Sequence, residues 1–257
     1  MSTPADDPGA LFPFGLPGSE ASVTPVRVFC LPYAGGGAGL YRPWVGHSAA
    51  GAEFVPVQLP GRENRLMEEP EGDFDALAER LARGIAPWTG ERYALFGHSM
   101  GGLLAYELAH RLNELTSQSA ELLAVSACAA PDVERPEWRI HELPREEFVD
   151  RLQKLNGTPR EVFEDEDLLD LCLPRIRADF SVLASYRYRP RPPLPVPITA
   201  LAGTRDTQVP TWSVADWRRH TDRGFNLHPV DDDHFFLHRH QQAVIGHIAD
   251  GLHQMSA

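Results

Sequence analysis

Residues 93–102, Tyr93-Ala94-Leu95-Phe96-Gly97-His98-Ser99-Met100-Gly101-Gly102, set a serine between two glycines at a spacing that suits nucleophilic chemistry. Tyr93 to Phe96 reads as a short buried strand, and a helix is expected to begin near Gly101. The Gly97-x-Ser99-x-Gly101 pattern between them is that of a nucleophile elbow, a serine carried on a sharp strand-to-helix turn. So tight a turn strains the serine backbone and crowds its neighbours, which leaves room only for glycine at 97 and 101. It would lift the Ser99 hydroxyl clear of the strand and aim the first N–H groups of the helix at whatever that hydroxyl attacks. A pattern this loose also arises by chance. The apolar strand before it and the apolar helix after it (Leu103, Leu104, Leu108, Leu112) favour the chemical reading. Ser99 is the candidate nucleophile.

An activated serine needs a base, and the base needs an orienting group. Behind an elbow of this kind the parts follow in the order serine, acid, histidine, each in a loop at the carboxyl end of a strand. His234 lies after the last strand-like run and before the final helix, whereas His228 sits inside the strand and His238, His240, His247 and His253 run on into the helix. The base is therefore read as His234. Two acids compete: Asp206 follows the strand Ile198–Ala202, and Asp132 follows the strand Leu122–Ala127. Order and spacing favour Asp206, although either could be a turn or capping aspartate. Asp231, Asp232 and Asp233 read as a solvated acidic turn. Oxyanion donors are expected from the Met100 amide and from the loop Tyr33-Ala34-Gly35-Gly36, whose glycines would let the main chain approach a substrate closely. A phosphate-binding role for that loop is weak, because Gly35-Gly36-Gly37-x-Gly39 has neither G-x-G-x-x-G nor a G-K-[ST] ending.

These residues need a scaffold, and the patterning supplies one. Pro25–Leu31, Phe54–Leu59, Tyr93–Phe96, Leu122–Ala127 and Ile198–Ala202 are apolar throughout, and helical patterns separate them. Such strands belong to a parallel sheet covered on both faces. Phe74, Leu77, Ala78, Leu81 and Ile85 mark one face of a helix, as do Val244, Ile245, Ile248 and Leu252 near the end of the chain. Between about 140 and 190 the alternation stops. There Phe148, Leu152 and Leu155, then Leu168, Leu171 and Cys172, then Ile176, Phe180 and Leu183, mark helices that read as a lid over the ligand-binding edge. A Pro-rich run, Arg189 to Pro197, returns the chain to the sheet. Residues 1–24, rich in Pro, Gly, Ser and Asp, read as a flexible N-terminal extension to a single domain spanning 25–257.

Composition narrows the function. A formal net charge of −12 argues against nucleic acid and against an anionic membrane surface as partners. No apolar run approaches the roughly 18 residues of a membrane span, and the first residues lack the basic and apolar regions of a secretory signal. Three widely spaced cysteines, Cys30, Cys128 and Cys172, suggest neither a disulfide framework nor a metal site. A cytoplasmic enzyme with no metal and no cofactor is expected.

Four motifs carry a resemblance. Phe29-Cys30-Leu31-Pro32-Tyr33-Ala34-Gly35-Gly36, Val57-Gln58-Leu59-Pro60-Gly61-Arg62, Phe96-Gly97-His98-Ser99-Met100-Gly101 and His234-Phe235-Phe236-Leu237 occur in the order seen in the type II thioesterases. The chain resembles these free-standing α/β-hydrolases of polyketide synthase and non-ribosomal peptide synthetase pathways over about residues 26–252. The resemblance implies an α/β-hydrolase fold with an inserted helical lid. It implies Ser99, Asp206 and His234 as a triad, and Ala34 and Met100 as oxyanion donors. It further implies hydrolysis of acyl groups from the phosphopantetheine arm of carrier proteins, with transient carrier-domain partners and a monomeric enzyme. Asp232-Asp233 stand before His234 where a glycine or another small residue is the expectation. Arg175 and Arg177 of the lid are candidate contacts for the carrier. A carboxylesterase or lipase acting on oxygen esters is the alternative the same residues allow, and a catalytically silent docking protein is the non-enzymatic one.

Overall fold

The computed structural model describes residues 7–16, 25–49, 51–90, 92–134 and 136–254. In chain order the strands are β1 Val26–Leu31, β2 Ser48–Ala49, β3 Ala52–Pro56, β4 Tyr93–His98, β5 Leu123–Ser126, β6 Ile198–Gly203 and β7 Phe225–Val230. The α-helices are α1 Pro8–Leu11, α2 Phe74–Ile85, α3 Met100–Thr116, α4 Arg145–Leu155, α5 Arg160–Glu164, α6 Glu166–Ser185, α7 Thr211–Ala215 and α8 Gln241–His253. One seven-stranded sheet runs in the order β2-β3-β1-β4-β5-β6-β7, parallel except for the short edge strand β2. This is the mostly parallel sheet that the apolar strand runs imply, in the α/β-hydrolase arrangement that the resemblance implies.

Period-two alternation divides the core. Phe29, Leu31, Leu95, Leu123 and Val125 join α2, α3 and the lid helices in one apolar cluster. Val28, Cys30, Ala94, Phe96 and Ala124 meet α8 and the Tyr41–Trp44 turn in the other. The central strands β1, β4 and β5 thus bury apolar side chains on both faces, and full burial of one such Leu or Phe contributes roughly 1.5–3 kcal/mol. Strand β3 stops at Pro56, earlier than the expected Leu59, although Val57 N still donates to the Cys30 carbonyl of β1 at 3.0 Å. All three cysteines are buried, and none of them is joined in a disulfide.

Two expectations change. Of the N-terminal stretch, residues 1–6 and 17–24 lie outside the described residues, but the part between them is packed rather than loose. Asp7 caps α1 through Gly9, Leu11 and Phe12 are buried, and Phe12 lies 5.7 Å from the Phe29 ring. The second concerns the lid, where α6 is one continuous 20-residue helix. Its phase buries Leu169, Cys172, Leu173, Ile176, Phe180 and Leu183, and it leaves Leu168 and Leu171 exposed. Leu168 and Leu171 therefore do not belong to the buried stripe. Arg175 and Arg177 are also engaged internally. Arg177 donates to the Leu143 carbonyl at 2.8 Å and stacks 4.2 Å over Phe148, and Arg175 contacts the Cys172 sulfur.

Candidate active site

Strand β4 runs on to His98, and α3 starts at Met100, so Ser99 alone makes the turn. Its φ of 53° and ψ of −116° are a conformation that side-chain-bearing residues rarely adopt. The flanking glycines are explained atom by atom. A Cβ on Gly97 would lie 1.9 Å from the Gly101 carbonyl oxygen, and one on Gly101 would lie 2.1 Å from the Leu31 carbonyl oxygen. Gly97 thus makes room for the helix, whereas Gly101 makes room for β1.

The Ser99 hydroxyl lies 3.1 Å from His234 Nε2, and His234 Nδ1 lies 2.7 Å from Asp206 Oδ2. Three side chains 135 and 28 positions apart in the chain therefore form one hydrogen-bonded line. The other Asp206 oxygen accepts the amides of Gln208 at 2.7 Å and Val209 at 2.9 Å. With the side chain fully buried and both oxygens occupied, the carboxylate is fixed in direction. Since a carboxylate only accepts, Nδ1 carries the proton and the lone pair of Nε2 faces Ser99. Asp132, the competing acid, lies elsewhere: it accepts from His220 Nε2 at 2.9 Å and Arg219 at 2.9 Å.

Of the three aspartates expected in a solvated acidic turn, Asp231 is exposed and Asp233 half-buried, and only Asp232 departs from the expectation. Asp232 is buried, bonded to Arg239 Nε at 2.6 Å and His240 Nε2 at 3.1 Å, and it accepts the Asp233 amide at 2.8 Å. The Arg239 guanidinium holds its carboxyl well below the usual carboxylate range. Space is tight here, since a Cβ on Gly203 would lie 2.7 Å from the Asp233 carbonyl. The acidic residues brace the loop that carries His234.

One residue of the elbow carries more structure than its place in the pattern suggests. His98 is buried, with Nδ1 2.9 Å from Ser126 Oγ and Nε2 3.0 Å from the His234 carbonyl. Burial pushes this imidazole well below its ordinary pKa, so it is neutral. No spacing rule marks it, because its partners are 28 and 136 residues away.

Ser99, Ala34 and His234 open into a cavity of about 300 Å³ walled by Leu152, Leu155, Ile176 and Phe180 of the lid helices. The Ala34 and Met100 amides have no protein acceptor among the described residues. The Glu63 and Gln58 side chains pack where Cβ atoms on Gly37 would be, and Gln58 accepts the Ala38 amide at 2.6 Å, so the second motif supports the glycine loop. Among the described residues no group of three or more His, Cys, Asp or Glu could hold a metal, and no helix is long and apolar enough to cross a membrane.

A serine hydroxyl set against a fixed imidazole, in a chamber with apolar lid side chains on one wall and two amides free of protein acceptors beside it, suits acyl transfer. Comparison with known proteins agrees. The family model for the thioesterase domain matches residues 26–252. The gramicidin S biosynthesis protein GrsT of Aneurinibacillus migulanus is 39% identical over 224 residues, covering 87% of this chain and 88% of that protein. A protein of Brevibacillus parabrevis named linear gramicidin dehydrogenase LgrE is 38% identical over 230 residues, 88% of each chain. Among solved structures, the type II thioesterase BorB from the borrelidin biosynthetic cluster superposes with a TM-score of 0.82 at 42% identity, over 90% of this chain and 94% of that one.

Proposed function

This chain belongs to the thioesterase family, in its type II branch, and from that membership we propose that it clears acyl groups from carrier proteins of polyketide or non-ribosomal peptide assembly. The hydrogen-bonded line from Ser99 through His234 to Asp206, opening into a chamber walled in part by Leu152, Leu155, Ile176 and Phe180, carries the reading. His234 takes the Ser99 proton as the hydroxyl attacks the thioester carbonyl. Asp206 holds the ring in its working tautomer and stabilises the imidazolium. The oxyanion rests on the Ala34 and Met100 amides. A thiolate then leaves; a thiol pKa of about 8.5 makes this departure far easier than that of an alkoxide or amide anion. The departed thiolate takes the proton from the His234 imidazolium, and the neutral ring then deprotonates the water that attacks the acyl group and returns that proton to Ser99 Oγ as the acid leaves. The chain supplies every group these steps use, so no cofactor enters beyond the phosphopantetheine arm of the partner.

Helices α4 to α6 act as a lid whose apolar underside receives the acyl chain. The carrier binds transiently, as turnover requires, and the enzyme works as a monomer. A direct test compares kcat/KM on an acyl-loaded carrier domain, the matching acyl-CoA and a p-nitrophenyl ester. Preference for the carrier thioester supports the reading; preference for the oxygen ester would point to a carboxylesterase instead.

A further inference from the structure

A buried ion pair joins the lid to the loop beside the nucleophile. Asp179, on lid helix α6, and Arg62, which ends the Val57–Arg62 motif, are 1% and 3% exposed. Arg62 Nη1 lies 2.7 Å from Asp179 Oδ2 and Nη2 lies 2.7 Å from Oδ1, the bidentate fork that fixes both planes. Neither group stops there. Asp179 Oδ2 also accepts the Gly35 amide at 2.6 Å, and Arg62 Nη1 also donates to the Gly36 carbonyl at 2.9 Å.

Both contacts fall on the two residues that follow Ala34. Gly35 has φ of +84°, and Gly36 N donates to the Tyr33 carbonyl at 2.9 Å, closing a turn around Ala34. A Cβ on Gly35 would lie 3.3 Å from Ile176, one helical turn before Asp179 on α6. The ion pair thus grips the glycine loop while Ala34 N–H keeps no protein acceptor. For stability alone such a pair is a poor investment, since desolvation offsets much of its attraction and apolar residues of similar volume often serve as well. Its geometry does something apolar residues cannot: it fixes the orientation of two peptide groups, Ala34–Gly35 and Gly36–Gly37, just past the Ala34 amide.

We infer that Arg62 and Asp179 are positioning residues that aim the Ala34 amide at the oxyanion and make that aim depend on the seating of lid helix α6. The inference rests on Ala34 being an oxyanion donor, as proposed above. A misdirected donor weakens the transition state and leaves ground-state binding nearly intact.

The test uses Asp179→Asn and the double variant Arg62→Met/Asp179→Leu, which removes the pair but leaves an apolar filling. Each is assayed beside the wild type on a butanoyl-loaded carrier domain and titrated with a trifluoromethyl ketone analogue of butanoyl-pantetheine, which forms a tetrahedral adduct. The expected result is a fall in kcat of about a hundredfold, KM within about threefold, and ketone affinity weakened in step with kcat. Folded variants with wild-type kcat and ketone affinity would overturn the inference, as would a kcat loss that leaves ketone affinity unchanged. Failure of both variants to fold would reduce the pair to a structural role and overturn it too. A wild type that leaves the thioester intact would remove the hydrolase reading itself, which separates the two failures.

Discussion

His98 Nε2 lies 3.0 Å from the main-chain carbonyl of His234, so the residue before the nucleophile holds the backbone of the residue read as its base. A carbonyl only accepts; Nε2 therefore carries the proton and Nδ1 accepts from the Ser126 hydroxyl 2.9 Å away. Replacing His98 with Phe leaves that carbonyl unpaired and loosens the loop that sets the 3.1 Å separation of Ser99 and His234. His98→Phe is expected to lower kcat by about ten- to a hundredfold, consistent with the effect of roughly 1 Å misplacements. His98→Gln, which can still donate, is expected to recover part of it. Steady-state kinetics on one thioester checks both.

The two candidate acids separate cleanly. Asp206→Asn removes the group that fixes the His234 tautomer and is expected to lower kcat by about 10⁴-fold. Asp132→Asn breaks contacts to His220 and Arg219 instead, so kcat is expected to stay near wild type while the melting temperature falls. Paired kinetics and thermal melts decide the matter.

Stability should depend on pH in a defined direction. Burial holds His98 well below its ordinary pKa and pushes His110 down to about 3. Both rings are neutral in the folded chain, whereas the unfolded chain protonates them below about pH 6.5. The unfolded state then binds more protons, so stability is full above pH 6.5 and is lost as pH falls below it. Each such ring contributes a slope of up to ~1.4 kcal/mol per pH unit. Urea denaturation between pH 5 and pH 6.5 should show a slope smaller by about one proton in His110→Phe than in the wild type.

Chain-length preference should follow the chamber wall. Leu155 lines the cavity from α4 and is only partly buried. Leu155→Phe narrows the space, and a difference of one methylene or so in an apolar pocket is worth about 10- to 200-fold. The kcat/KM ratio of octanoyl to acetyl thioester is expected to drop at least about tenfold.

What the sequence revealed is what repeats or sits in a motif. The parallel sheet was legible because strands apolar on both faces have a distinctive composition, and Ser99 because only glycine fits at 97 and 101. The order of serine, acid and histidine singled out the loops of Asp206 and His234, and the structure brings His234 to 3.1 Å from Ser99 and 2.7 Å from Asp206. Pairing across long separations left no local mark. Arg62 and Asp179 are 117 residues apart, and nothing in either neighbourhood announces the other. Asp232 looked solvated because its partners Arg239 and His240 approach it only after the loop folds. Leu11 and Phe12 were hidden among prolines and glycines, although they are as buried as the strands. Helix phase across α6 was misjudged because short apolar clusters admit several registers, and only the continuous helix selects Leu169 over Leu168.

The central claim is that acyl groups pass from a carrier thiol to Ser99 and then to water. Intact-mass spectrometry tests it by following a butanoyl-loaded carrier domain mixed with wild-type enzyme, with Ser99→Ala and with His234→Ala. The wild type is expected to return the carrier to its free-thiol mass over many turnovers, with Ser99→Ala leaving it loaded. Deacylation by Ser99→Ala at the wild-type rate would contradict the claim.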